Sequence, residues 1–405
     1  MSLDLSVPDV SRAITGARTL SATLLPCPPA TDLAPAWRAV QTQADARFFN
    51  SWTWIGHWLA HLPPDLAPQL LRVTLDGETV GLGVVVPCAA RRLRGTLRHR
   101  AAVLHATGRA QDDDITVEHN GLLVRRGLEA AAHAAAFSHL LQSGAFDEVR
   151  VPLAGAVLAN GECDGAGGAD DPPVRQARLG LRRFASMAGY AADLGRAAAG
   201  GGEHIATLSA HTRSQIRKSL KRYAGLGPVS LAGAADVPEA LGWLGRLKAL
   251  HQAAWKARGA PGAFANPRFE AFHRGLLQAG HARGEVQVLR VSAGDREVGY
   301  LLQFRHAERV LAYQSGFDYT LLPGNHHPGL VVHALAMQHA LEQGAVCYDF
   351  LGGEARYKRD LGGEPYPMGT WSLHRHSPAL WAEEALRMAR SASRSARAVL
   401  TRLGA

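Results

Sequence analysis

The chain reads VQVLRVSAGDREVGYLLQF at 286–304 and, far upstream, LLRVTLDGETVGLGVVVP at 70–87. Each segment is a pair of β-rich runs, and Asp76-Gly77 between the earlier two is a strong two-residue hairpin signal. Laid over one another, Leu71-Arg72-Val73-Thr74 falls on Leu289-Arg290-Val291-Ser292, and Val80-Gly81 falls on Val298-Gly299. The offset is 218 throughout, with no gap. Two helical stretches precede each hairpin: 33–49 and 51–62, with Ser51 as N-cap, then 240–259 and 267–280. A helix–helix–hairpin order repeated in register points to duplication, and hence to two similar α+β units packed together.

Working outward, residues 1–33 read as irregular, and GECDGAGGADDPP (161–173) reads as a surface loop. The glycine-rich stretch 195–202 reads as a linker. These boundaries place one domain at 20–194, a second at 203–377 and a basic helical tail at 378–405. After the second hairpin the pattern predicts a strand over 308–317, a loop over 318–328, a helix over 329–343 and a strand over 345–350.

The 405 residues, 47% of them hydrophobic and 20% charged, can build two ordinary cores. No apolar run approaches the ~20 residues needed to cross a bilayer. The first residues carry Asp4 and Asp9 and lack a contiguous apolar stretch, which argues against a signal peptide. Cys27, Cys88, Cys163 and Cys347 lie far apart, so neither a disulfide framework nor a zinc site is expected, and a cytoplasmic protein is. Of 44 basic residues, ten fall in two acid-free stretches: Arg213, Arg217, Lys218, Lys221 and Arg222, then Arg387, Arg390, Arg394, Arg397 and Arg402. Taking those ten from 44 leaves 34 bases against 35 acids, so the positive charge is local rather than general. A solvated helix face accounts for the first stretch as readily as an anion site does. The tail fits a helix on a membrane surface or a docked terminal helix.

Three segments carry chemistry. Pro323-Gly324-Asn325-His326-His327-Pro328-Gly329 leads into a helix N-terminus, where free N–H groups and the macrodipole favour an anion such as a pyrophosphate. His326, His327, His333 and His339 have no carboxylate or cysteine at ligand spacing, so no metal is expected. In YDFLGGEARYKRDLGGE (348–364), paired glycines bracket Tyr357-Lys358-Arg359. Such glycines let a loop approach a ligand closely while Lys358 stabilises developing negative charge; a surface hairpin with a solvated lysine is the plainer alternative. In HATGRAQDDDITVEHNGLLV (105–124), a strand through ITVEHN would put Thr116, Glu118 and Asn120 on one face. A carboxylate there can take a proton from an amine if it sits in a cleft.

Together, TGRAQDDDITVEHNGLL (107–123), LSAHTRSQIRKSLKRY (208–223), HQAAWKARGAPGAF (251–264) and YDFLGGEARYKRDLGG (348–363) resemble the GNAT-superfamily acyltransferases. The resemblance is to the CelD-like group, related to the Fem peptidyltransferases, and it spans most of 40–375. It implies two tandem GNAT-like domains, each a mixed sheet flanked by helices, and transfer of an acyl or aminoacyl group to an amine. By the same resemblance Lys358 stabilises the tetrahedral oxyanion, and the proton acceptor is Asp114 or Glu118. The resemblance also implies that Arg213, Arg217 and Lys218 hold donor or acceptor phosphate, while Gly324, Asn325 and Gly329 are the donor contacts expected of the loop into the helix N-terminus. His119, Asn120, Trp255, Tyr348, Asp349 and Tyr357 are the expected substrate contacts. The loop 322–329 departs from the Arg/Gln-x-x-Gly-x-Gly/Ala pattern of ordinary GNAT enzymes, so coenzyme A binding comes from the family and not from the loop.

The expected activity is N-acyl transfer from an acyl-thioester, acyl-CoA as co-substrate with no permanently bound cofactor, to an amine. An amino-sugar, a cell-envelope lipid precursor and a sphingoid-type amino-alcohol are all open as acceptor. The alternatives are aminoacyl-tRNA-dependent transfer and a non-catalytic scaffold in polysaccharide or lipid assembly. The expected location is cytoplasmic, with contact to the inner-membrane surface through the tail.

Overall fold

The computed structural model describes residues 13–15, 18–92, 97–155, 179–324 and 326–375. The expected loop at 161–173 and the basic tail at 378–405 lie outside them. The first half runs β1 (Ala13–Thr15), β2 (Arg18–Pro26), α1 (Ala30–Gln41), α2 (Trp52–Ala60), β3 (Gln69–Leu75), β4 (Glu78–Arg92), β5 (Leu97–Leu104), β6 (Leu123–Val124), α3 (Glu129–Gln142), β7 (Glu148–Ala154) and β8 (Leu179–Asp193). The second half runs α4 (Gly195–Ala199), α5 (His204–Thr207), α6 (Ala210–Ala224), β9 (Val229–Gly233), α7 (Val237–Ala257), α8 (Pro267–Gly280), β10 (Val286–Ala293), β11 (Arg296–His306), β12 (Arg309–Phe317), α9 (Pro328–Glu342), β13 (Cys347–Gly352), α10 (Arg356–Asp360) and β14 (Glu364–Arg375).

The duplicated hairpins are real and share a defect. The β3–β4 register slips between Val73 and Thr74, and the β10–β11 register slips between Val291 and Ser292, again 218 apart. At the first turn Asp76 and Gly77 both have positive φ, 51° and 87°, the pair of conformations a right-handed hairpin twist requires.

Two sequence expectations need correction. Residues 18–26 are not irregular but form β2, whose inward positions are small or apolar (Leu20, Ala22). Its outward Ser21 hydroxyl lies 2.9 Å from that of Thr74 on β3. The helix expected to run to 49 stops at Gln41, because Phe48 and Phe49 must turn into the core and do so in a short 3-10 turn. The stretch 195–202, read as a linker, opens with α4.

Among the described residues the strands form one 14-stranded sheet, ordered β1-β2-β3-β4-β5-β7-β14-β8-β13-β12-β11-β10-β9, with β6 on β4. The two halves exchange their last strands. β8 follows β7 in the chain yet pairs with β13, and β14 follows β13 yet pairs with β7. The exchanged strands lie antiparallel to each other from Glu364↔Ala191 to Arg375↔Leu179. On one face, α1 and α2 meet α7 and α8 in a common aromatic core, where the Phe48 and Phe304 rings stack at 4.3 Å. Each such buried ring contributes roughly 1.5–3 kcal/mol. On the other face α3 covers the first half, while α6 and α9 cover the second. Among the described residues no helix is long and apolar enough to cross a membrane.

Candidate active site

β12 and β13 run parallel only from Arg309↔Cys347 to Leu311↔Asp349, and then part. Both strands bulge where they separate. The β11–β12 register shifts so that Tyr313 is the extra residue, and the β13–β8 register jumps between Asp349 and Gly352. A cavity of about 970 Å³ fills the gap. Its walls include the first turn of α9 (His327, Gly329), α7 (Trp255) and α10 (Tyr357, Lys358), and Glu118 reaches it from the first half.

The bulge in β13 is held from several sides. Leu351 has φ 59°, a left-handed conformation that costs a branched residue about 1–3 kcal/mol. Its N–H donates to Asp349 Oδ1 at 2.8 Å, and the Gly352 N–H donates to Glu118 Oε2 at 2.7 Å. Lys358 Nζ donates to the Leu351 and Gly352 carbonyls, at 3.0 and 2.6 Å. Gly353 has φ 103°, which a side chain would strain. Lys358, 5% exposed, is therefore no solvated lysine of a surface hairpin.

The charges interact. Burial pushes the Glu118 carboxyl above the ordinary carboxylate range, partly opposed by the Gly352 N–H, His119 and Lys358. Burial pushes the Lys358 ammonium below the usual lysine range, opposed by Glu118 and Asp349. Asp349 is also raised by burial, but hydrogen bonds from His119, the Leu351 N–H and Tyr366 outweigh this and hold it low. His119 Nε2 donates to Asp349 Oδ2 at 2.7 Å and Tyr366 Oη donates to Oδ1 at 2.8 Å, with the His119 and Tyr366 rings stacked.

Glu118 does not sit on a strand. Residues 115–120 form an irregular loop in which His119 has φ 52°, so the expected shared face of Thr116, Glu118 and Asn120 is absent. The reason lies at Asn120, which spans the first half's own strand gap. Its Nδ2 donates to Leu104 O on β5 at 2.8 Å, and its N–H donates to Leu153 O on β7 at 3.2 Å. His105 Nδ1 donates to its Oδ1 at 3.0 Å. With this bridge made, the preceding residue pair projects toward β13 of the second half.

The candidate residues therefore separate. Glu118, Lys358, Tyr357, Trp255, Gly324 and Gly329 line the cavity. Asp114 is exposed and accepts from Asn266 Nδ2 at 3.1 Å, apart from the cavity lining. His119 and Asp349 lie behind the bulge, Tyr348 is buried with its hydroxyl 3.1 Å from His333 Nδ1, and Asn120 is the bridge just described. Arg213 donates back to the Ala206 and Leu208 carbonyls, while Arg217 and Lys218 are exposed on α6; Gln215 is the α6 residue on the cavity. Asn325 lies outside the described residues. Sequence reasoning missed Gln215, His251 and Tyr366, and weighed His333 only as a metal ligand. His251 had a signal, standing four residues before Trp255 on one helix face.

Residues 210–359 match the family model described as Acetyltransferase (GNAT) domain. No curated protein matches. Among solved structures the chain is similar to FemX at 11% identity and TM-score 0.54, covering 86% of this chain and 96% of that one. It is similar to the C-terminal domain of a protein assigned as lysylphosphatidylglycerol synthetase from Agrobacterium fabrum, at 11% identity and TM-score 0.50, covering 89% and 96%. A conserved protein of unknown function from Bacteroides thetaiotaomicron aligns at 9% identity and TM-score 0.51, covering 84% and 97%. At these identities the structural likeness is one of fold.

Proposed function

We propose, from the premise that residues 210–359 are a GNAT acetyltransferase domain and the chain an acyltransferase of that fold, that it transfers an acyl group from acyl-CoA to an amine in the cavity between β12 and β13. The observation that carries this is the convergence in one cavity of the α9 N-terminus, a desolvated carboxyl and a buried lysine. The 15-residue α9 opens with Pro328 at its first turn, followed by Gly329 and Leu330, whose N–H groups have no partner within the helix. They suit the pyrophosphate of the donor.

The thioester carbonyl then lies where the strands part. The amine nitrogen attacks the carbonyl carbon, and Glu118, through the oxygen not engaged by Gly352, takes the amine proton directly or by one water. Lys358 has three donors, of which two hold the Leu351 and Gly352 carbonyls; the third meets the oxyanion. Collapse breaks the C–S bond, and the leaving thiolate takes the proton that Glu118 received from the amine, directly or by one water, which restores the carboxylate. Amide and free thiol are the products.

Native mass spectrometry of the full chain titrated with acetyl-CoA and palmitoyl-CoA tests the donor. Saturable one-to-one binding of either supports the reading, and the preferred chain length assigns the acyl group; binding of neither overturns it. A second reading, aminoacyl-tRNA as donor, draws on Arg217 and Lys218, exposed on acid-free α6. Its mark is a donor affinity that collapses with salt, as released counterions require.

A further inference from the structure

The wall of the cavity formed by α7 is chemically unlike the rest. His251, Trp255 and Arg258 follow at i, i+4 and i+7, on one face, and all three line the cavity. His251 is 4% exposed, yet neither ring nitrogen has a hydrogen-bond partner among the described residues. His333, 2% exposed and on the same cavity, has Nδ1 beside the Tyr348 hydroxyl while its Nε2 has none. Buried polar nitrogens are rarely left so, because each forgoes the hydrogen bonds it had in water. Three such nitrogens belong to two residues that line one cavity, where the hydroxyls of a ligand can complete them.

Their chemistry narrows the ligand. Burial pushes His251 down to about 4, and burial with the nearby Lys358 pushes His333 down to about 3, so both rings are neutral near pH 7. A neutral imidazole offers one donor and one acceptor, the complement of a hydroxyl group rather than of a carboxylate or phosphate. Trp255 is 39% exposed, stacked on the His251 ring at 5.8 Å and carrying the Arg258 guanidinium 5.8 Å from its ring centre. An exposed indole beside hydroxyl-seeking groups suits the C–H face of a sugar ring. An alkyl amine would leave all three nitrogens unpaired.

We propose that His251, Trp255 and His333 form the acceptor subsite, and that the acceptor is a hydroxylated-ring amine, an amino-sugar. Its ring lies on Trp255, its hydroxyls pair with the two histidines, and its amine faces Glu118. The role as acceptor rests on the acyl-transfer reading above; the sugar site itself does not.

The test titrates the full chain with D-glucosamine and with unreactive N-acetyl-D-glucosamine by calorimetry, comparing wild type with His251→Phe and Trp255→Ala. The expected result is saturable sugar binding, weakened roughly tenfold or more in both variants, with acetyl-CoA affinity unchanged. His251→Phe keeps the ring and removes the unpaired nitrogens, so its thermal midpoint stays at or above that of wild type, which separates lost recognition from misfolding. Absence of saturable sugar binding, or wild-type affinity in both variants, overturns the proposal. So does weakened acetyl-CoA binding with sugar binding intact, which would give this face to the donor, or preferential binding of sphinganine that ignores His251→Phe. Sugar binding with no transfer from either acetyl-CoA or palmitoyl-CoA upholds the subsite and sinks the acyl-CoA reading instead.

Discussion

Replacing Glu118 by glutamine isolates the proposed base from everything else it does. The carbonyl of the new side-chain amide still accepts from the Gly352 N–H, the 2.7 Å bond that helps hold the β13 bulge, so the cradle of Lys358 stays formed. What is lost is proton uptake. A positioned general base contributes about 10²–10⁴ in rate, so kcat falls by that factor, about 3–5 kcal/mol of barrier. Wild-type kcat rises with pH as the raised Glu118 carboxyl ionises and falls again at high pH as the lowered Lys358 ammonium deprotonates; the glutamine variant loses the rising limb. Stability changes the other way. A carboxyl raised on folding contributes stability that is present below its ordinary value of 4.5 and lost as pH rises through the raised one. The neutral variant therefore melts at or above wild type at pH 7, and the gap closes in acid. Thiol release from acetyl-CoA measures kcat, with Asp114→Asn as control. Asp114 is exposed and bonded to Asn266, so its loss changes kcat less than about twofold. A Glu118→Gln variant keeping a tenth of its kcat with an unchanged pH profile, or a more damaging Asp114→Asn, would refute the assignment.

Three further outcomes follow from packing. Glu148, fully buried, accepts from Ser372 on the exchanged strand β14 and from Arg150, and lies against His99. Glu148→Ala should cost about 3–5 kcal/mol in chemical denaturation, because it strands these partners. Burial raises its carboxyl, but His99, Arg150 and Ser372 together hold it well below 4.5, so its contribution is complete above 4.5 and disappears as pH falls below that, seen as acid sensitivity of the wild type. Gly316 on β12 meets α7 so closely that a Cβ would stand 2.3 Å from the Leu247 carbonyl oxygen, whereas a Cβ at Gly245 on exposed α7 surface meets nothing within 4 Å. Gly316→Ala should destabilise by about 1–3 kcal/mol and Gly245→Ala stabilise by about 0.5–1, read from paired thermal melts. Asn120→Ala unpairs the Leu104 carbonyl and His105 Nδ1, both buried, and should cost about 2–4 kcal/mol by the same assay.

The duplicated hairpin was legible because its signal is local: turn chemistry and alternation survive in the residues themselves, whereas the shared slip after Val73 and Val291 shows only in the strand pairing. The exchange of β8 and β14 was not. Strand partners so far apart in sequence leave no local mark, and nothing in either strand names its neighbour. The same limit divides the site. Lys358 and the loop into α9 were visible as glycine-bracketed and helix-leading patterns, but choosing between Asp114 and Glu118 requires burial. That follows from Asn120 tying its loop across β5 and β7. The partnerless nitrogens of His251 and His333 likewise exist only once the cavity has walls.

The central claim is that the donor occupies the second half's strand gap while Asn120 closes the first half's. Hydrogen–deuterium exchange with and without acetyl-CoA tests it directly. The account predicts added protection over 326–334 and 350–358, with 101–106 and 149–154 unchanged. Protection of the first-half segments with none at 326–334 would contradict it.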